Sequence, residues 1–174
     1  MNSVLSRANT IFAFTLSVLA FLTFSCFMTT AFNTNAANIT VRTSDHIVKS
    51  AFTPYGARAD RGFFSLGLKA DLEQIFNWNV KQLFLYITAE YESENNKLNQ
   101  VVIWDKIIPR GAKSNLDLKT IKIKYPFFDD GQTLKGKDNV TLTLSWNVIP
   151  NAGLLPRIVG TGNTVISFPN EYTR

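Results

Sequence analysis

The feature that most constrains this sequence is an uncharged stretch between Arg7 and Arg42, which contains a 22-residue apolar run from Ile11 to Phe32. At about 1.5 Å per residue, a helix of that length extends about 33 Å. The hydrocarbon core of a bilayer is about 30 Å thick, so such a helix crosses it with modest tilt. The Thr and Ser hydroxyls in the run are compatible with lipid because they can bond to carbonyls one turn earlier. The sequence therefore predicts a transmembrane anchor at residues 11–32, preceded by a short tail at residues 1–10.

A cleaved secretory signal peptide is the alternative interpretation of this run. Signal peptides have apolar regions of about 7–15 residues, followed by a cleavage motif of small residues. Here the run is longer, bulky Phe27 and Phe32 occupy its end, and Thr29 and Ala31 form a poor cleavage motif. We therefore expect the segment to stay attached and to anchor the rest of the chain.

The charges that flank the apolar run do not determine its orientation. Only Arg7 and the α-amino group precede it, whereas Arg42 and Lys49 follow it, partly offset by Asp45. A count of positive charges on the two sides thus gives no clear answer.

Two glycosylation sequons favour placing the large domain outside the cytosol, although such triplets also arise by chance. They are Asn38-Ile39-Thr40 and Asn139-Val140-Thr141. Asn38 follows the apolar run by six residues, so we expect it to be too near the membrane for modification. Asn139 follows a turn-forming segment and is the predicted acceptor.

Residues 33–174 are predicted to form one all-β domain, an antiparallel β-sandwich, after a short polar linker at 33–40. Three segments alternate apolar and polar residues with the period of two that places one face of a strand on a core. Their apolar members are Phe64, Leu66, Leu68, Ala70 and Leu72; Leu83, Leu85, Ile87 and Ala89; and Val140, Leu142, Leu144, Trp146 and Val148. Further strand-like runs are 101–108, 120–125 and 164–168, and turn-forming residues separate the runs at 54–56, 129–131, 136–138, 150–153 and 160–162. The only candidate helix after the anchor is Asp71 to Trp78.

The composition excludes several kinds of site. One Cys, at position 26 inside the anchor, and one His, at position 46, are too few for a disulfide or the usual zinc constellations. The net charge of +5 comes from basic residues interleaved with acidic ones, which indicates a solvated surface rather than a nucleic-acid site. We expect no catalytic, cofactor or metal residues: His46 is predicted to lie exposed in a loop, and no G-x-S-x-G elbow occurs. A Ser-Lys pair stays open because no such pair is marked out by spacing.

Aromatic and apolar clusters raise the question of contact surfaces. The run Tyr125 to Phe128 fits either core burial or a patch for a partner or the bilayer interface. Leu154 and Leu155 raise the same question. For Trp78 and Trp104 we expect core positions.

Several long, uninterrupted sequence segments resemble those of a known family. They begin with residues 1–9 and the anchor, and they are strongest at Asn77–Tyr86, Leu98–Ile107, Phe127–Gly131 and Asn139–Gly153. Together they cover most of the chain except residues 33–61 and the last few positions. In these segments the chain resembles the glycosylated subunit 3 family of the eukaryotic signal peptidase complex.

The resemblance implies properties that patterning alone does not provide. It implies a single-pass protein of the endoplasmic reticulum membrane with a cytosolic amino terminus and a lumenal carboxy-terminal domain. It also implies an essential, non-catalytic subunit whose partners are the catalytic serine-protease subunit, which holds the nucleophile, and the other non-catalytic membrane subunits. The glycosylated asparagine of the family falls in the Asn-Val-Thr segment, at Asn139. Two alternatives stay open: an enzyme in its own right, and a translocon-associated lumenal β-sandwich that binds nascent chains.

Overall fold

A long apolar helix opens the fold in this computed structural model, which describes residues 3–53, 56, 58–93, 96–129 and 133–173. Helix α1 comprises Val4–Thr30, and its N-cap is Ser3, whose hydroxyl oxygen accepts a hydrogen bond from the Ser6 amide. The helix buries none of its residues, and it is long and apolar enough to cross a membrane. It begins seven residues before the predicted anchor and ends at Thr30. Met1 and Asn2 of the predicted tail lie outside the described residues.

The hydroxyl groups in the apolar run of α1 are satisfied within the helix, as the sequence predicted. Those of Thr15, Ser17, Thr23 and Ser25 each donate to the carbonyl four residues earlier, at 2.8–3.0 Å. These bonds leave no side-chain donor of those residues exposed to hydrocarbon.

Nine strands follow in the part of the chain that is described. They are β1 Ile39–Phe52, β2 Arg58–Asp71, β3 Val80–Tyr91, β4 Asn99–Pro109, β5 Asn115–Lys122, β6 Phe127–Phe128, β7 Val140–Pro150, β8 Arg157–Val159 and β9 Thr164–Ile166. The predicted runs at 64–72, 83–89, 101–108 and 140–148 fall almost entirely within strands, while those at 120–125 and 164–168 end earlier, at Lys122 and Ile166. The predicted turns at 54–56 and 129–131 lie partly outside the described residues.

The strands form two antiparallel sheets that enclose one core, so the predicted β-sandwich is confirmed. The first sheet has the order β1-β2-β5, with β6 also paired to β2, and the second has the order β4-β3-β7-β8, with β9 also paired to β7. All the apolar residues of the three alternating segments are buried, as expected from their period of two. Trp146 and Phe127 are among the largest fully buried side chains.

Strand β1 is the longest of the strands that sequence patterning missed; the others are the short strands β6 and β8. Its pairing with β2 is interrupted by a bulge between Ser44 and Ile47, where Asp45 adopts a φ of 57°. A bulge adds one residue to a strand and reverses which face the following side chains occupy. Val41 and Val48 are therefore both buried although an odd number of positions separates them. The predicted helix at 71–78 is reduced to a single 3₁₀ turn, Glu73–Ile75.

Candidate functional site at the junction of helix and sandwich

The last turn of α1 is hydrogen-bonded to the sandwich through Asn79. The side-chain amide of Asn79 donates to the Thr30 hydroxyl at 3.0 Å and to the Ala152 carbonyl at 2.8 Å, while its side-chain oxygen accepts from the Ala152 amide at 3.1 Å. Its backbone carbonyl accepts from the Asn151 amide at 2.7 Å. Asn79 is only 2% exposed. One buried side chain thus connects the helix end, the start of β3 and the loop that follows β7.

Asn79 is held in place by its own neighbours. Its amide donates to the side-chain oxygen of Asn77 at 2.9 Å. The guanidinium of Arg110 donates to the carbonyls of Val80, at 2.8 Å, and of Asn77. The turn that presents Asn79 is therefore fixed by side-chain contacts on both sides.

Close packing at Gly153 brings the loop after β7 directly against the helix. A methyl group on Gly153 would lie 2.5 Å from Cδ2 of Phe27, closer than any ordinary carbon contact, and the φ of Gly153 is +112°. Only glycine fits this position without a shift of the ring or the loop. Beside this contact lies an open cavity of about 310 Å³, lined on one side by Phe27 and Thr30 and on the other by Ala152 and Leu154.

The segment that links the helix to β1 is also attached to the sandwich. The indole N–H of Trp146 donates to the carbonyl of Asn35 at 3.1 Å. At the start of β1, the Thr164 hydroxyl donates to the carbonyl of Val41 at 2.6 Å. The predicted linker at 33–40 is thus irregular up to Asn38 but pinned to the domain.

Asn139 lies at the end of the sandwich opposite this junction. In the pairing of β3 with β7, Val80 lies opposite Pro150 at the junction end, and Glu90 lies opposite Thr141 at the other end. At about 3.3 Å per residue, Asn139 is about 35 Å along β7 from Pro150. It is exposed, with a φ of 64°, a conformation that asparagine tolerates better than most residues. Asn38 is exposed too, but it lies eight residues after the end of α1.

The aromatic and apolar clusters noted in the sequence divide between core and surface. Phe127 is fully buried, in edge contact with Tyr91 at a ring-centroid distance of 5.4 Å, whereas Tyr125 is 40% exposed. Trp104 is buried, as expected. The expectation for Trp78 is wrong, because its side chain is 58% exposed in the turn before Asn79. The exposure follows from the turn, which directs its polar neighbours inward to bond the backbone.

His46 is half-buried in β1 rather than exposed in a loop, so that expectation is also wrong. Its ring packs edge-on against Phe64 and Phe168, with centroids 6.1 and 6.4 Å away. Its Nε2 is buried and has no hydrogen-bond partner among the described residues. Burial lowers the pKa of His46 below its ordinary value, and the nearby charge of Asp45 partly opposes that shift. This environment stabilises the neutral ring.

The two buried carboxylates among the described residues, Asp60 and Asp129, have structural contacts. Asp60, 5% exposed, accepts hydrogen bonds from the Leu134 amide at 3.0 Å and from the Tyr172 hydroxyl at 3.1 Å. Asp129 forms an ion pair with Lys137 at 3.4 Å. Asp130, the next residue in the sequence, lies outside the described residues. Within the described ranges, no three His, Cys, Asp or Glu side chains come close enough together to hold a metal ion.

Sequence reasoning missed the residue that organises the junction. Asn79 contacts groups 49 and 73 positions away, and the periodicity of the sequence does not reveal contacts at such separations. The one local signal is the pair of asparagines around Trp78, because asparagine side chains commonly bond backbone two residues on.

Comparison with known proteins gives a matching family and several similar proteins. A family described as "Signal peptidase subunit" matches residues 1–171. The chain is 56% identical to "Signal peptidase complex subunit 3" of Homo sapiens over 174 residues, which cover 99% of this chain and 97% of the relative. It is 52% identical to the protein of the same name in Drosophila melanogaster, with the same coverage. It is also 53% identical to "Adipocyte-related X-chromosome expressed sequence 1" of Mus musculus.

Proposed function

This chain belongs to the signal peptidase subunit family, and from that membership we propose that it positions the catalytic serine-protease subunit of the signal peptidase complex without supplying catalytic groups itself. It is a subunit of that complex, which acts in the endoplasmic reticulum membrane and removes signal peptides from nascent secretory and membrane proteins. The names of its relatives support its membership of the complex. We propose in addition that the chain is essential, that it is non-catalytic and that it contacts the catalytic subunit.

The observation that carries the proposal is the attachment of the sandwich to the end of α1. A domain joined to its anchor by a free linker would sample many heights and tilts above the bilayer. Here Asn79, Gly153 and Trp146 each contact the helix end or the segment after it. These contacts support a sandwich that is held at a defined height above the bilayer, which suits a subunit whose role is to place another domain.

Positioning of this kind can raise a reaction rate without a donated catalytic group. Small displacements from a reactive geometry are costly, so a rigid support contributes to rate indirectly. Two subunits anchored in one bilayer also meet in a plane, which raises their effective concentration, so modest contacts suffice for assembly. The proposed partners are the catalytic subunit and the other non-catalytic membrane subunits of the complex.

We further propose that residues 1–10 are cytosolic, that residues 11–32 span the membrane and that residues 33–174 form the lumenal domain. Exposed Asn139, about 35 Å along β7 from the junction, supports this orientation because a glycosylating enzyme could reach it there. Asn139 is the proposed glycosylation site. Asn38, close to the helix end, is proposed to stay unmodified.

Depletion of this chain from cells, followed by re-expression, tests the proposal. Loss should lower the abundance of the catalytic subunit and the cleavage of a pre-protein, and the wild-type chain should restore both. Purified complex treated with a serine-reactive probe should be labelled on the catalytic subunit and not on this chain. Labelling of this chain would overturn the non-catalytic role. Crosslinking chiefly to nascent chains rather than to the protease would favour a translocon-associated binder instead.

A further inference from the structure

Large apolar side chains are exposed together at the end of the sandwich that meets α1. Trp78 is 58% exposed, Leu154 74% and Leu155 60%, and Phe32, just after the helix, is 85% exposed. They lie on the three segments that converge on the helix end: the residues after α1, the turn before β3 and the loop after β7. We refer to Phe32, Trp78, Leu154 and Leu155 as the apolar rim.

The length of the helix fixes where this rim lies relative to a bilayer. From Ile11 to Thr30 the helix is uncharged, and those 20 residues extend about 30 Å, the thickness of the hydrocarbon core. Phe27 falls in the last turn of that stretch, within about 5 Å of its end. Gly153 packs against the Phe27 ring, so when this stretch spans a bilayer, the loop that carries Leu154 and Leu155 lies at the boundary between hydrocarbon and headgroups.

We infer that the apolar rim inserts into the membrane interface and binds lipid directly, so that the sandwich rests on the bilayer surface. Trp side chains favour this region because their ring is apolar while their N–H can reach water or headgroups. Exposing the two leucines to water costs free energy, and that cost is removed when their side chains enter the membrane interface. The inference goes beyond the proposed function, because it concerns lipid and holds whether or not the chain positions a protease.

Charge at this end contributes less than the apolar side chains do. Arg110 lies beside Trp78, with its guanidinium bonded to backbone carbonyls of the same turn, and its remaining N–H groups can reach a headgroup phosphate. Lys113 follows in the next turn. Its positive charge is offset by Asp71 and Glu73, because the Leu72 amide between them donates to the carbonyl of Ser114, the residue after Lys113. Binding should therefore occur on zwitterionic as well as anionic lipid.

A spin-label experiment with a matched control tests the inference. The full chain carrying Cys26→Ser is reconstituted in phosphatidylcholine nanodiscs, with a nitroxide attached either at Leu155→Cys or at Leu98→Cys. The two leucines are equally exposed, at 60% and 62%, but Leu98 lies in the hairpin at the opposite end of β3. Collisions with oxygen, which concentrates in lipid, and with a water-soluble nickel chelate report the surroundings of each label.

The label at position 155 should collide with oxygen several-fold more, and with nickel several-fold less, than the label at position 98. Equal, water-like accessibility at both positions would overturn the inference. Low accessibility to both reagents at position 155 would also overturn it, since that result means burial by protein. As a second measurement without a cysteine, brominated phosphatidylcholine should quench part of the tryptophan fluorescence, and Trp78→Phe should remove that part while leaving the signal from Trp104 and Trp146.

Discussion

Replacing Asn79 by alanine should loosen the sandwich at its membrane end. The change removes three side-chain hydrogen bonds, two with Ala152 and one with Thr30, from a residue that is 2% exposed. Each such bond contributes about 0.5–1.5 kcal/mol net. Asn79→Ala should therefore lower the free energy of unfolding by about 2–4 kcal/mol, with the larger value applying if water cannot replace the lost partners.

Two valine substitutions separate the contact with the helix from the rest of this effect. Thr30→Val removes the bond from Asn79 to the helix, together with the longer bonds that the Thr30 hydroxyl donates to the carbonyls of Phe27 and Cys26, and should cost about 1 kcal/mol. Thr23→Val is its matched control, because the Thr23 hydroxyl bonds only to the Leu19 carbonyl within the helix. That control should change the stability of the sandwich by no more than about 0.5 kcal/mol.

Urea unfolding of the full chain in mild detergent measures these changes, because the helix stays in the micelle while the sandwich unfolds. Hydrogen exchange at the Ala152 amide, which donates to Asn79, gives a local readout and should speed up in Asn79→Ala. In the Asn79→Ala background, Thr30→Val should have little further effect, because its partner is already gone. Equal effects of Thr30→Val and Thr23→Val, or an unchanged Asn79→Ala, would refute the idea that this contact joins the helix to the sandwich.

Three further changes test other parts of the structure. Gly153→Ala should destabilise the sandwich by about 1–3 kcal/mol through its clash with the helix, and more than Gly111→Ala, which shares a positive φ but has open space around it. Burial lowers the pKa of His46, so the unfolded chain binds more protons than the folded chain. The free energy of unfolding should therefore fall as the pH drops through about 6.5 and level off below the folded-state pKa. Urea midpoints from pH 7.5 to 5 should show this dependence in the wild type and not in His46→Phe. Asn139→Gln should abolish an endoglycosidase-sensitive shift in gel mobility from microsomes, while Asn38→Gln should leave it unchanged.

Each of these three predictions has an outcome that would contradict it. Equal losses for the two glycine variants would mean that backbone strain, not the contact with the helix, governs the loop. A wild-type pH dependence that His46→Phe retains would assign the titration to another group. A glycan lost only with Asn38→Gln would reverse the proposed assignment of the two sequons.

The segments whose pattern has a single period were predictable from the sequence. Leu83 to Ala89 and Val140 to Val148 alternate because each belongs to a central strand with one face on the core. The long apolar helix was equally clear, since a segment that crosses lipid needs a long run without charge. By contrast, β1 contains a bulge that changes the phase of its alternation between Val41 and Val48. The alternation in β1 is therefore divided into two short stretches that are out of phase, and neither is long enough to predict a strand.

The junction was not predictable, and the reason is physical. The pattern of α1 reflects contact with lipid, and the pattern of the strands reflects a core that excludes water. Asn79 belongs to neither the apolar pattern of the helix nor the alternating pattern of the strands. Its partners are polar groups that come together only when helix and sandwich are both in place. Trp78 illustrates the same point: a tryptophan in a β domain is usually assigned to the core, yet here the turn that buries Asn79 leaves the indole exposed.

The exposure of Trp78 has a consistent explanation only when the helix is considered together with the sandwich. In water alone, an end that exposes a tryptophan and two leucines would be a liability for aggregation. With α1 crossing a bilayer, that end faces headgroups and hydrocarbon instead, where the same side chains are favoured. The hydrogen bonds of Asn79 then have a further consequence, since they hold the rim at the depth where insertion is favourable. A change that broke the junction would therefore disturb both the stability of the sandwich and its contact with lipid.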